Sequence, residues 1–83
     1  MIIKYFSWIR EHVGKSEEEI ELPHNIKTID DLIKYLASLN DNYKSAFASK
    51  EIIKIAVNKS YSDITTQIFN EDEIAFFPPV TGG

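Results

Sequence analysis

No cysteine occurs anywhere in the 83 residues. That removes two ways of stapling a small domain, disulfides and thiolate zinc sites. The two histidines, His12 and His24, stand isolated and make no metal pair, so no metal is expected. Positive charge is also scarce: nine Lys and Arg face thirteen Asp and Glu, for a net charge of −4. Nucleic acid and anionic membrane are therefore not expected as partners, because both call for clustered cations. No apolar run approaches the length of a membrane span. The opening "MIIKYFSW" lacks a basic leader and a small-residue cleavage site, which argues for a cytoplasmic protein without a signal peptide. Glycine and proline number only three each, and two of each are crowded into the last six residues.

What the chain does have is apolar material, 43 % hydrophobic and 12 % aromatic. A domain this small buries only about 60 % of its unfolded surface, so that material must form one core. "IIKYFS" (Ile2 to Ser7) is β-branched and aromatic, as a strand requires. Trp8 to Val13 carries apolar residues at helical spacing and meets Gly14, a natural helical stop. "EEEIELP" (Glu17 to Pro23) reads as a half-buried strand paired with the first in a wide hairpin.

Ile29, Leu32, Ile33, Leu36 and Leu39 fall three and four apart and predict an amphipathic helix over Ile29 to Leu39. Thr28 supplies its N-cap and Asp31 stands in capping-box position. Asn42 to Ser49 predicts a short helix or loop that packs Tyr43, Ala46 and Phe47. Glu51 to Asn58 predicts a third strand, turned at Asn58-Lys59-Ser60. Ser62 to Phe69 is ambiguous between strand and irregular link, and Glu73 to Phe77 predicts the last strand, ended by Pro78 and Pro79. Hairpin, helix and further strands specify a two-layer α+β domain over residues 1–77, a mixed sheet covered on one face by one main helix. If the apolar first and last strands are neighbours, they run parallel, as in a β-grasp sheet.

Residues 78–83 then form an extended tail of Pro78, Pro79, Val80, Thr81, Gly82 and Gly83. Two prolines favour extended geometry, and six such residues reach about 20 Å. A stiff base and a tip without side chains suit a segment threaded into a slot on another protein. The reactive group at the tip is the Gly83 carboxylate. Adenylation would turn it into an activated acyl group, and glycine leaves room for the nucleotide and the attacking nucleophile. The product would be an amide on another protein or a thiocarboxylate. An idle terminus is the plain alternative.

The stretches "NEDEIAFFPPVTGG", "IAVNKSY", "YFSWIREHVG" and the "ELP" before the helix resemble the small, sulfur-carrying subunit of molybdopterin synthase. The resemblance implies a ubiquitin-like β-grasp fold. It also implies that Gly83 is adenylated, converted to a thiocarboxylate, and delivers sulfur to a cyclic pyranopterin, with Gly82 its narrow neighbour. Its implied partners are the large catalytic subunit of molybdopterin synthase, an adenylyltransferase related to ubiquitin-activating enzymes, and a sulfur donor enzyme. No cofactor is bound by the carrier itself, and ATP is consumed by the activating enzyme. The chain departs from the family at Glu71, where glycine is frequent, which leaves the turn before the last strand undefined. A thiamine-pathway sulfur carrier and a ubiquitin-like protein modifier are the alternatives.

No catalytic triad, phosphate loop or carboxylate pair is legible, so the chain reads as a donor rather than an enzyme. Glu17 to Glu19 read as a solvated strand edge. In the first and last strands, Ile3, Tyr5, Ile74 and Phe76 are expected inward, and Phe6 and Phe77 outward. Phe6, Phe77 and Tyr61 are then expected to form a docking patch at the base of the tail, which itself binds the partner through Pro78 to Thr81.

Overall fold

The computed structural model describes residues 1–79. The placement of Val80, Thr81, Gly82 and Gly83 lies outside the described residues. Strands β1 (Ile2–Tyr5), β2 (Glu17–Glu19), β3 (Lys54–Val57), β4 (Ser60–Ser62) and β5 (Glu73–Phe77) form one mixed sheet in the order β2-β1-β5-β3-β4. β1 and β5 are parallel, with Ile3 beside Ile74 and Tyr5 beside Phe76. All other pairings are antiparallel. The last strand in sequence thus occupies the middle of the sheet.

Alternation decides the two faces. Ile3, Tyr5, Ile55, Ile74 and Phe76 point into the core and are buried, as expected for the four of them on β1 and β5. Phe47 meets Phe76 edge-on at 5.0 Å between centroids, and Tyr5 stacks on Phe76 at 6.2 Å. Three helices close this face: α1 (Ser7–Val13), α2 (Ile29–Ala37) and α3 (Asp41–Ala46). α2 is the longest, but α1 contributes Ile9 and Val13 and α3 contributes Tyr43 and Ala46 to the same cluster. The cover is therefore shared, because nine residues of α2 cannot roof a five-stranded sheet.

Local signals act as read at the ends of the helices. The Asp31 amide donates to Thr28 Oγ1 at 3.2 Å and the Thr28 amide donates back to Asp31 Oδ2 at 3.2 Å, a closed capping box. Gly14 takes φ 91° at the end of α1, and its N–H donates to the Arg10 carbonyl. Ile29, Leu32, Ile33 and Leu36 are buried along α2, each worth about 1.5–3 kcal/mol of burial.

Several boundaries differ from the sequence reading. α2 stops at Ala37, with Ser38 as C-cap, so Leu39 falls off the stripe and is 49 % exposed. β1 stops at Tyr5 and β2 at Glu19. Ile20 and Leu22 still pack against the core, but from a non-strand segment. Glu51 does not open β3; a 3-10 turn at Lys50–Ile52 precedes it, and Ile52 is exposed. The Ser62 to Phe69 stretch is irregular after β4, joined to the start of α2 by one bridge between Gln67 and Thr28. At Glu71 the turn needs no glycine, because its backbone is not among the positive-φ positions. The Asp72 N–H donates to the Phe69 carbonyl at 3.0 Å and closes it.

Candidate functional site

Among the described residues the second face of the sheet carries no helix. Its floor is two alanines, Ala75 on β5 and Ala56 on β3, paired across the ladder. Small residues flanked by large ones make a hollow, and here it is an open depression of about 560 Å³ whose apolar walls are Phe6, Phe77, Pro78 and Pro79. Lys4, Lys59 and Glu73 stand at its rim. Lys4 and Glu73 neutralise each other at 3.6 Å.

Phe6 reaches this face through the backbone. Its N–H donates to the Phe76 carbonyl at 3.1 Å, extending the parallel ladder one residue past β1. Its carbonyl then accepts from the N–H groups of Ile9 and Arg10, which starts α1. Between them Ser7 takes φ 54°, a left-handed conformation uncommon outside glycine. That bend turns the chain over the core while leaving Phe6 on the outer side, 44 % exposed.

Tyr61 arrives by a different device. Asn58 and Lys59 have φ of 51° and 70°, the paired left-handed residues of a two-residue hairpin turn whose twist suits adjoining strands. The Asn58 side chain holds the turn: its Oδ1 accepts from the Glu73 N–H at 2.9 Å and its Nδ2 donates to Asp72 Oδ1 at 2.9 Å. The hairpin sets Tyr61 opposite Ala56, 81 % exposed, with its ring 5.9 Å from that of Phe77. Phe6, Phe77, Pro78, Pro79 and Tyr61 are thus brought together on one face at the end where β5 leaves the sheet. Val80 to Gly83 lie outside the described residues.

The arrangement offers a surface and a strand exit rather than a reaction centre. Among the described residues no group of three or more His, Cys, Asp or Glu could hold a metal ion. Among the described residues no helix is long and apolar enough to cross a membrane. His12 lies edge-on to the Trp8 ring at 6.3 Å.

One polar cluster escaped the sequence reading. Glu18 does not belong to a solvated acidic edge: on β2 it pairs with inward-facing Ile3. Its Oε2 accepts hydrogen bonds from the Tyr5 and Tyr43 hydroxyls, each at 2.6 Å. Lys15 Nζ donates to its Oε1 at 3.3 Å. Burial works against the ionised carboxylate, but the two hydroxyls and the lysine outweigh it and hold Glu18 below the usual range. The Tyr5 hydroxyl is pushed far above its ordinary value, by burial first and by Glu18 second. Alternation along "EEE" was the available signal, since the middle glutamate must face opposite to its neighbours.

The model of the ThiS family matches residues 3–83. The molybdopterin synthase sulfur carrier subunit of Haemophilus influenzae is 32 % identical over 81 residues, covering 98 % of this chain and 96 % of that protein. The molybdopterin synthase sulfur carrier subunit of Dictyostelium discoideum is 35 % identical over 83 residues, covering 98 % and 93 %. The crystal structure of small archaeal modifier protein 1 from Haloferax volcanii matches with a TM-score of 0.74 at 21 % identity, over 96 % of this chain and 97 % of that one. This last likeness concerns the ubiquitin-like fold alone.

Proposed function

The chain belongs to the ThiS family, and from that membership we propose that it is the sulfur carrier of molybdenum-cofactor synthesis, the small subunit of molybdopterin synthase. The observation that carries this reading is the near full-length likeness to sulfur carrier subunits of molybdopterin synthase. The chain is a donor in this reaction and not a catalyst by itself.

The functional group is the Gly83 carboxylate. One of its oxygens attacks the α-phosphorus of ATP in an activating enzyme, and pyrophosphate leaves. A sulfide equivalent from a sulfur donor enzyme then displaces AMP from the acyl carbon, leaving a thiocarboxylate. In the large subunit that sulfur attacks a carbon of the cyclic pyranopterin and displaces the oxygen it carries, so that a C–S bond replaces a C–O bond and the oxygen leaves with its electron pair and a proton. Water then cleaves the resulting thioester, freeing the sulfur on the product and returning Gly83 as a carboxylate. Gly82 adds no side chain beside the reacting carbon. Pro78 and Pro79, with φ fixed and no N–H to donate, stiffen the base of residues 78–83 where β5 leaves the sheet. Phe6, Phe77 and Tyr61 seat the domain on the large subunit so that Val80 and Thr81 enter its channel.

Intact-protein mass spectrometry tests this. After incubation with activating enzyme, ATP and a sulfur source, the mass should rise by the difference between a sulfur and an oxygen atom. Deleting Gly83 should abolish the gain while the domain still melts normally. Lysine-linked adducts on other proteins, with no thiocarboxylate form, would overturn the carrier reading in favour of a protein modifier.

A further inference from the structure

One lysine amine stands directly beside the point where β5 ends. Lys54 is the cross-strand partner of Phe77, the last residue of that strand, and is exposed. Alternation with buried Ile55 puts the Lys54 side chain on the face away from the core, where it borders a hollow with Tyr61 and Phe77. The other lysines of this face are placed differently. Lys4 lies further back, beside Ala75, and is tied to Glu73 at 3.6 Å. Lys59 stands at the opposite end of β3, next to Glu73.

Distance favours Lys54. Its backbone is one strand spacing, about 4.8 Å, from that of Phe77. The six residues 78–83 have a contour length of about 20 Å, ample for the chain end to return to it. To come level with Lys59 the same residues must also run back along β5, about 13 Å from Phe77 to Glu73. Tethering adds to proximity. An acyl group on a short linker meets a neighbouring amine at an effective concentration on the order of 1 mM. At about 1 μM protein that is about a thousandfold more than a second copy offers. Closure within one chain therefore outruns the joining of two.

We infer that Lys54 is the acceptor of an intramolecular acyl transfer from activated Gly83, which closes residues 78–83 onto their own domain through an isopeptide bond. This inference rests on the carrier reading above, which supplies the acyl-adenylate. The deprotonated Lys54 Nζ attacks the Gly83 carbonyl carbon and forms a C–N bond. The C–O bond to the adenylate phosphate breaks, AMP leaves with the electron pair, and the amine proton passes to water. Sulfide and Lys54 thus compete for one acyl carbon. A lysine amine is nucleophilic only when deprotonated, so the sulfur route prevails while sulfide is at hand. Without sulfide, the released adenylate ends as a chain with no free α-carboxylate, which cannot be activated again. Lys54 thereby retires carriers that were activated without a sulfur supply.

Incubating the full chain with activating enzyme and ATP, and no sulfur source, tests this by intact-protein mass spectrometry. The mass should fall by one water, and peptide sequencing should place Gly83 on the Lys54 side chain. Lys54→Arg, which keeps the charge, should lower that product at least about tenfold. The control Lys44→Arg, on α3 at the helical side, should leave it within about twofold. Adding the sulfur source should replace the water loss by the gain of sulfur over oxygen. A chain bearing Gly83 as a thioester, made by intein cleavage, should close the same ring without the enzyme, with a thiolate as leaving group. Pyrophosphate release without a water-loss product overturns the inference, as does water loss that persists in Lys54→Arg. Absence of pyrophosphate release defeats the carrier reading instead, and the thioester chain then still decides the inference.

Discussion

Tyr5 and Tyr43, from β1 and α3, donate their hydroxyls to one and the same carboxylate oxygen of Glu18. Each ring is buried in the core, and each hydroxyl reaches the sheet edge where the carboxylate waits. Removing the carboxylate would leave the Tyr5 hydroxyl without an acceptor in a nearly dry site. Glu18→Ala should therefore cost about 1–3 kcal/mol at neutral pH, read by urea denaturation.

The same cluster makes stability fall with acid in a defined direction. Glu18 is held below its usual value in the folded chain, so its contribution is full above the unfolded carboxylate value of about 4.3. It fades as pH falls through the lower folded value, because the unfolded chain then binds the proton more readily. Glu18→Gln cannot titrate. The stability gap between wild type and Glu18→Gln should narrow as pH drops from about 5 to 3. A gap that stays constant would remove Glu18 from the acid response.

Neighbouring phenylalanines on β5 should separate folding from binding. Phe76 is fully buried between Tyr5 and Phe47, so Phe76→Ala should cost about 3–5 kcal/mol of stability. Phe77 lies on the open face beside Tyr61. Phe77→Ala should cost about 1–3 kcal/mol in affinity for the large subunit with little change in melting. A Phe77→Ala variant that melts as low as Phe76→Ala yet binds normally when folded would sink the docking role.

Asn58 combines a left-handed backbone with two side-chain hydrogen bonds. Asn58→Ala should lose both and be destabilised by about 2–3 kcal/mol. Asn58→Gly should recover about 1 kcal/mol of that, since glycine adopts the conformation without steric cost. Equal midpoints for the two variants in chemical denaturation would contradict this division.

Gly82→Val should leave the melting temperature unchanged and slow acyl-adenylate formation by at least about tenfold, or 1.4 kcal/mol of barrier. Pyrophosphate release by the activating enzyme measures this. Unimpaired release would mean that the nucleotide site tolerates a β-branched neighbour.

Where residues repeat with a clear period, the structure agrees with the sequence. The α2 stripe, the Thr28–Asp31 box, the Gly14 stop, the apolar alternation of β1 and β5, and the outward Phe6 and Phe77 were all legible. They depend on neighbours within a turn or a strand. The Leu39, Glu51 and Ile20 boundaries were not legible, because the ends of elements depend on what lies across the fold. Glu18 was hidden for the same reason: alternation along "EEE" sets the middle glutamate opposite to its neighbours, but its partners come from three separate segments. The open face was half legible. Phe6 and Phe77 follow from alternation, whereas the approach of Tyr61 to Phe77 depends on a hairpin whose partner strand the sequence does not specify.

The place of β5 has a consequence for how the chain acquires its shape. β1 and β3 touch through β5, so the sheet remains two unconnected hairpins until Glu73–Phe77 is free to slide between them. During synthesis that segment emerges after everything else in the domain. A chain that stops short of Phe77 leaves the facing edges of β1 and β3 without their full partner strand. Closure of the sheet is thereby tied to possession of the strand that residues 78–83 follow in sequence, so a chain able to fold is also a chain that carries the base of its own tail.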